Sequence, residues 1–266
     1  MWARHVESLP LKIDGTDLDC VRFGTGDDPL VLIPGLSFQR VKGAALPLAY
    51  MYRIFSKRYT VYVIDKKASV PEGHTIRDLA DDTARAMERL HLSSADIFGV
   101  SQGGMIAQYL AIDHPHLVHK LVLSVTASRR NETMEATIGD WIDMAERGAY
   151  DALVIDMFHR MYSAAYLKRY GWAFPILSRI GRPKEFGRFI ALAKACLTCE
   201  AYPELQKIAC PVFVIGGRRD RVVTGEASEE IAAKIGCELY LYDGLGHAAY
   251  EEAPDHNDRI YRFLED

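Results

Sequence analysis

Short hydrophobic runs alternate along this chain with longer segments in which apolar residues recur at helical spacing. The runs over 29–35, 60–67 and 211–217 are rich in β-branched residues and show no regular apolar–polar alternation. Strands of that kind are typical of a sheet covered on both faces. The predicted strands are an opening hairpin over 11–24 and single strands over 29–35, over 60–67, up to Val100, over 120–128, over 211–217 and over 237–244.

Helical segments separate these strands. The clearest spans 74–92, where Thr75 and Asp78 are spaced as a helix-capping pair. Its apolar stripe consists of Ile76, Leu79, Ala80, Thr83, Ala86, Met87 and Leu90. Further helices are predicted directly after Ser101, over 226–235 and over 255–265. Alternating strands and helices predict the α/β fold class, with a mostly parallel central sheet flanked by helices.

The alternation stops at Arg129. From there to about residue 200 the periodicity is helical and shows no clear strand. We therefore predict an α/β core formed by 1–128 and 201–266, with a helical cap over 129–200 inserted in it. An insertion between two strands at one end of a sheet is expected to lie above that end.

Composition and charge narrow the functional classes. Of the 266 residues, 49% are hydrophobic and 26% charged, and the net charge is -4. An acidic balance does not favour a nucleic-acid partner. The five cysteines are scattered and odd in number, which does not suggest a disulfide framework. With no apparent signal peptide and no long apolar run, we expect a cytoplasmic protein without a membrane span; the oligomeric state is left open.

The first candidate catalytic residue is the serine of Gly99-Val100-Ser101-Gln102-Gly103, where a predicted strand meets a predicted helix. In an open α/β sheet, ligands bind beyond the carboxyl ends of the strands, and Ser101 lies at such an end. A tight turn there requires small residues on both sides of the serine. The following helix also directs free N–H groups toward the site, which favours negative charge.

A serine hydroxyl becomes an effective nucleophile only beside a base. His247 follows the last predicted strand, and Asp220 follows the strand over 211–217. The chain order serine, acid, histidine is the one that this architecture imposes. The alternatives are a surface serine in a glycine turn, an ordinary loop histidine, and an Asp220 paired with the neighbouring Arg218, Arg219 or Arg221.

Two other groups of residues have metal-ligating side chains close together in the sequence, but neither has the pattern of a metal site. His114, His116 and His119 are interrupted by Pro115 and lack framing carboxylates, so we interpret them as solvated histidines. Cys196 and Cys199 form one Cys-x-x-Cys pair without the second pair of a zinc site. We therefore expect no metal and no cofactor.

Four motifs occur in order along the chain: "IPGLS", "GVSQGG", "GGRRD" before "RVV", and "GLGHAAYEEAP". With them the chain resembles a capped α/β-hydrolase from end to end. The resemblance implies that Ser101 is the nucleophile, His247 the general base and Asp220 the orienting acid. It also implies an oxyanion hole made by the backbone N–H groups of Leu36 and Gln102.

The chain departs from this family in two places. Pro34 stands before Gly35 where many relatives have histidine, so a side-chain contact under the oxyanion loop is absent or replaced. The loop over 65–69 reads Asp-Lys-Lys-Ala-Ser and lacks the arginine and glycines common there. Specificity near that edge is therefore hard to transfer from the family.

The predicted insertion carries opposite charges in its two halves. Its second half contains Arg179, Arg182 and Arg188, which either form solvated outer helix faces or attract an anionic substrate. Aromatic residues lie between these charges, and we expect a subset of them to line an apolar acyl pocket.

The resemblance implies a serine hydrolase that cleaves a small or medium carboxylic ester through an acyl-enzyme, with a small-molecule acyl substrate as its partner. The same triad also serves thioesterases, lactonases, C–C bond hydrolases and perhydrolases. An alternative of another class is a non-catalytic protein that binds a small ligand.

Overall fold

The computed structural model describes residues 5–174, 182–183 and 185–266. Within them, eight strands form one sheet in the order β1-β2-β4-β3-β5-β6-β7-β8. Strand β2 is antiparallel to both of its neighbours, and all other pairs are parallel. The predicted fold class is confirmed. The strands are β1 (Glu7–Ile13), β2 (Thr16–Gly24), β3 (Asp28–Ile33), β4 (Tyr59–Lys67), β5 (Ala95–Val100), β6 (Val118–Ser124), β7 (Val212–Gly217) and β8 (Glu238–Tyr242).

Helices cover both faces of this sheet. One apolar cluster joins the sheet to the helices over 76–89, 102–113 and 225–235, and a second joins its other face to those over 45–51 and 256–265. Every residue of β5 and of β7 is buried, which explains why neither sequence alternates. The described helices are α1 (Ala45–Met51), α2 (Ile76–Arg89), α3 (Gln102–Asp113), α4 (Glu132–Glu146), α5 (Tyr150–Met161), α6 (Ala164–Tyr170), α7 (Gly187–Cys196), α8 (Gly225–Ile235), α9 (Ala249–Glu252) and α10 (His256–Glu265).

Helix α2 shows how local sequence fixes an element. The Thr75 hydroxyl accepts a hydrogen bond from the Asp78 backbone N–H, and the Asp78 carboxylate accepts one from the Thr75 N–H. This reciprocal cap satisfies two N–H groups that the first helical turn leaves without partners. The apolar stripe of the helix, including Leu79 and Met87, is buried against the sheet.

Some boundaries differ from the sequence prediction. The strand predicted over 120–128 ends at Ser124, because Val125 has a positive φ of 45° that no extended strand accommodates. The short helices α1 and α9 were not predicted, since seven and four residues are too few to show a helical period.

Helices α4 to α7 all lie between β6 and β7 along the chain. The two ends of this segment meet, since Arg129 pairs with Glu200 in an isolated bridge and Ser128 O accepts hydrogen bonds from the N–H groups of Ala201 and Tyr202. Arg179, one of the arginines singled out in the sequence, lies outside the described residues. In the described part of the chain, every helix is too short or too polar to cross a bilayer.

Candidate active site

Ser101 occupies the turn between β5 and α3 with a backbone φ of 53°. A positive φ is costly for any residue except glycine, and it persists only where the surroundings fix it. Here the Ser101 N–H donates to Ser124 O at 2.8 Å, and its carbonyl accepts from the Thr126 hydroxyl at 2.7 Å. Strand β6 and the residues that follow it therefore hold the strained serine in place.

The glycines on either side of Ser101 are required by close approaches of the backbone. A Cβ on Gly99 would lie 2.5 Å from the Gly103 carbonyl oxygen. A Cβ on Gly103 would lie only 1.9 Å from the carbonyl oxygen of Ile33, at the end of β3. These contacts are with main-chain atoms, which cannot rotate aside as a side chain can.

The structure brings Ser101, Asp220 and His247 together in one hydrogen-bonded line. His247 is buried in the loop after β8, with its Nε2 3.0 Å from Ser101 Oγ. Its Nδ1 is 2.7 Å from Oδ2 of Asp220. The loops that carry the imidazole and the carboxylate are joined by a bond from Arg219 N–H to Leu245 O at 2.9 Å. An imidazole between a hydroxyl and a carboxylate has the geometry of a base oriented by an acid.

Asp220 is held by its own backbone turn and not by the arginines beside it. Its Oδ1 accepts hydrogen bonds from the N–H groups of Val222 at 2.7 Å and Val223 at 3.0 Å. Arg218 instead pairs with Glu229 and Asp243, and Arg221 donates to backbone carbonyls at the end of α5. Among the described residues, the side-chain partner of Asp220 is the His247 imidazole.

Leu36 and Gln102, the predicted oxyanion donors, lie on two segments that meet at Ser101. Gln102 is the first residue of α3. A Cβ on Gly35 would lie 3.3 Å from Ser101 Cβ and 3.9 Å from Ser101 Oγ, so the peptide that leads into Leu36 passes directly beside the serine. Neither amide N–H donates to another of the described residues.

The alpha/beta hydrolase fold family model matches residues 28–254, most of the chain. This chain is an alpha/beta hydrolase. One relative is a Mycobacterium phage D29 protein provisionally named a non-heme haloperoxidase, which is 27% identical over 87% of this chain and 85% of that protein. Another is the 3-oxoadipate enol-lactonase 2 of Acinetobacter baylyi, which is 22% identical over 78% of this chain and 77% of that protein.

Two solved structures share the fold of this hydrolase, each with a TM-score of 0.85 and 20% identity. One is an alpha/beta hydrolase enzyme from a Medee basin deep-sea metagenome library, with 97% of this chain and 98% of that chain covered. The other is the enol-lactonase from Burkholderia xenovorans LB400, with 97% of this chain and 100% of that chain covered. The family match and the names of these relatives support a hydrolase enzyme.

Lys66 supports the predicted oxyanion loop, the segment over 34–38 that carries Leu36, and the sequence analysis did not identify this lysine. Its ammonium donates to the carbonyl oxygens of both Pro34 and Gly35, each at 2.7 Å. Burial lowers the pKa of this ammonium to about 8. The sequence analysis expected a side-chain contact under this loop to be absent or replaced, and Lys66 makes a side-chain contact there. The available signal was a lysine at the end of a buried strand, where charge needs a partner.

Helix α7 is attached to the predicted oxyanion donor Gln102 and to the end of β4, which carries Lys66. The Gln102 side chain donates to Leu192 O at 2.6 Å and to Cys196 Sγ at 3.1 Å. Arg188 donates to the Asp65 carboxylate at 3.0 Å and to the carbonyls of Lys66 and Lys67 at 3.0 Å and 2.9 Å. These bonds join Arg188, and with it helix α7, to the end of β4.

Among the described residues of the segment between β6 and β7, several aromatic side chains take part in two groups of packed rings. Phe189 of α7 stacks on Phe38 of the oxyanion loop, with ring centroids 4.1 Å apart. Phe158 stacks on Phe174 at 3.9 Å near the end of α5, where Met161 O accepts a hydrogen bond from the N–H of Ala248, the residue after His247. One group therefore packs beside the predicted oxyanion loop and the other beside the loop that carries His247. Trp172 belongs to neither group and is 75% exposed.

The histidines over 114–119 and the pair Cys196 and Cys199 are not gathered into a metal site among the described residues. His114 pairs with Asp81 at 2.7 Å, and His119 pairs with Asp96 at 2.8 Å. Burial raises the pKa values of the Cys196 and Cys199 thiols to about 12 each. Across 5–174, 182–183 and 185–266, no three histidine, cysteine or acidic side chains are arranged to hold a metal ion.

Proposed function

We propose that this alpha/beta hydrolase is a serine hydrolase that cleaves small or medium carboxylic esters through a triad of Ser101, His247 and Asp220. The observation that carries the proposal is the hydrogen-bonded line, 3.0 Å from hydroxyl to imidazole and 2.7 Å from imidazole to carboxylate. All three groups lie at the carboxyl ends of parallel strands, where this architecture binds its ligands.

In this mechanism, Ser101 Oγ attacks the acyl carbonyl while His247 Nε2 accepts the hydroxyl proton. Asp220 keeps the Nδ1 proton of His247 in place and stabilises the imidazolium that forms. The N–H groups of Leu36 and Gln102 donate to the oxyanion. When the intermediate collapses, His247 gives its proton to the departing alcohol, and water then hydrolyses the acyl-enzyme by the same steps in reverse order.

The aromatic groups near the triad support a substrate with an apolar acyl part. The helices over 129–200 act in this proposal as a cap, and the two aromatic groups at its contacts with the core supply apolar surface. Small-molecule sites are mostly apolar with a few polar anchors. Relatives named enol-lactonases favour cyclic esters as a second substrate class. A lactone opens by the same attack on an acyl carbonyl.

A fluorophosphonate probe and a panel of substrates test the proposal. We expect the probe to label Ser101 in folded protein, and Ser101→Ala to abolish both labelling and p-nitrophenyl ester turnover while the thermal unfolding midpoint is kept. The panel contains p-nitrophenyl esters of graded acyl length, lactones, thioesters and amides. Turnover confined to thioesters or amides would overturn the ester assignment, and absence of an adduct in wild-type protein would favour a ligand-binding role.

A further inference from the structure

We propose that Lys66 is a positioning residue that fixes and polarises the oxyanion donor at Leu36. The inference rests on the proposed function, because it assigns a role to the peptide on which acyl transfer would depend. Its basis is the pair of hydrogen bonds from the Lys66 ammonium to the carbonyls of Pro34 and Gly35.

The geometry links Lys66 to the reaction through a single peptide group. The carbonyl of Gly35 and the N–H of Leu36 belong to the same planar amide, so their electron distributions are coupled. A cation that donates to the carbonyl oxygen draws electron density from the amide nitrogen, and the N–H on the opposite side becomes a stronger donor. In a trans amide the N–H points away from the carbonyl, so the Leu36 N–H lies on the side of the peptide opposite to the Lys66 ammonium.

The two bonds also fix the shape of the loop. Lys66 projects from the end of β4, so its ammonium is anchored to the sheet. Two acceptors at 2.7 Å on consecutive residues restrict the rotation of both peptides. Oxyanion stabilisation depends on donors that are already in place when charge develops, so a fixed loop contributes without reorganisation.

The charge of Lys66 depends on a small set of neighbours. Lys66 is 4% exposed, and desolvation is the main cause that lowers the pKa of its ammonium to about 8. From its own strand the Asp65 carboxylate opposes this shift. From helix α7, Arg188 adds to it and the Cys196 thiol opposes it. The oxyanion loop contributes carbonyl oxygens and no titratable group, so the ammonium form is lost as the pH rises through about 8.

A purely structural role would be the satisfaction of two buried carbonyls, and it predicts a loss of stability alone. A polarising role predicts a lower kcat with a nearly unchanged KM, since the effect is exerted on the transition state. The chain provides a matched control. Lys120 also donates to two consecutive backbone carbonyls, Phe263 O at 3.3 Å and Leu264 O at 2.9 Å, but it lies on β6 near the last turn of α10.

The test compares Lys66→Met, Lys66→Arg and Lys120→Met with wild-type protein. It measures kcat and KM for p-nitrophenyl acetate from pH 6 to pH 10, the rate of fluorophosphonate labelling, and thermal unfolding. Removal of a whole oxyanion donor costs about 10²–10³ in kcat, so weakening one donor in Lys66→Met is expected to cost roughly 10- to 100-fold. KM should stay within threefold, Lys66→Arg should recover most of the rate, and Lys120→Met should react as wild type.

The pH profile separates charge from packing. In wild type, kcat should fall as the pH rises through about 8, whereas Lys66→Arg should lose this fall because arginine stays protonated. If Lys66→Met does not fold, the pH profiles of wild type and Lys66→Arg still test whether the charge of Lys66 affects kcat. Suppose that the wild-type protein is labelled by the fluorophosphonate and hydrolyses the ester. Then an unchanged kcat in folded Lys66→Met, or a kcat of Lys66→Arg that still falls as the pH rises through about 8, overturns this inference and leaves the proposed function standing. A wild type that neither labels nor turns over overturns the proposed function and this inference with it.

Discussion

The two oxygens of the Asp220 carboxylate have different partners, and this difference determines what a substitution there would do. Oδ1 is fixed by the N–H groups of Val222 and Val223, whereas Oδ2 faces His247 Nδ1. An asparagine at this position would place its oxygen at the two N–H groups, since its amide nitrogen cannot accept from them. Its NH₂ group would then point at the imidazole.

We therefore predict that Asp220→Asn inactivates the enzyme without unfolding it. With NH₂ facing Nδ1, neutral His247 carries its proton on Nε2 and cannot accept the proton of Ser101. In serine triads, the loss from such a change of tautomer is about 10⁴ in kcat, and we expect roughly 10³–10⁴ here. Steady-state ester hydrolysis measures this loss, with circular dichroism as the folding control. A kcat within tenfold of wild type would contradict the assigned acid.

At the scale of elements, helix α3 approaches strand β3 more closely than any side chain would allow. The contact is at Gly103, where main-chain atoms of Ile33 and Pro34 occupy the space of a Cβ. This approach brings the first turn of α3, and with it Ser101, next to the oxyanion loop that follows β3. Gly139 in α4 offers the opposite case, because an added Cβ would have no atom within 4 Å.

Gly103→Ala and Gly139→Ala should consequently change stability in opposite directions. Overpacking against a backbone that cannot yield should lower the free energy of unfolding by about 3 kcal/mol or more. Alanine in the open helical position should raise it by about 0.5–1 kcal/mol. Urea denaturation of both variants measures the difference. Equal stabilities would show that α3 can move away from β3.

Most elements could be predicted from the sequence because their signals are local. Helix α2 has a capping box and an apolar stripe, and the strands of the sheet interior have continuous apolar runs. The attachment of α7 could not be predicted. Arg188 is more than 120 positions from Asp65 along the chain, and Gln102 is 90 positions from Leu192. No period or spacing connects residues that far apart, and the arginine alone resembled a solvated charge.

At the scale of the whole molecule, a second histidine affects stability instead of catalysis. His256 begins α10 and is buried, with its Nε2 3.1 Å from the Ser124 hydroxyl at the end of β6. Desolvation lowers the pKa of His256 from 6.5 to about 4. Above pH 6.5 this imidazole is neutral in both the folded and the unfolded chain. Below that pH the unfolded chain takes up the proton first, so acid favours unfolding.

The free energy of unfolding should therefore fall between pH 6.5 and pH 4, with a contribution from His256 of about 3 kcal/mol at the lower limit. In His256→Phe, which has no titratable ring, this part of the pH dependence should be absent. Denaturant titrations of both proteins at pH 7, 5 and 4 measure it, and the carboxylates common to both cancel in the comparison. Identical pH slopes would show that folding does not lower the pKa of His256.

The sequence by itself determined the order of the strands and of the core helices α2, α3, α8 and α10 along the chain, and which residues stand at the carboxyl ends of the strands. Local periodicity, turn residues and chain order carry that information, and they were enough to select Ser101, Asp220 and His247 as a candidate triad. Only the tertiary structure decided their distances, the partners of Asp220, and the lysine under the oxyanion loop. Lys66 and Gly35 are 31 positions apart, and their contact exists only because β3 and β4 are neighbours in the sheet.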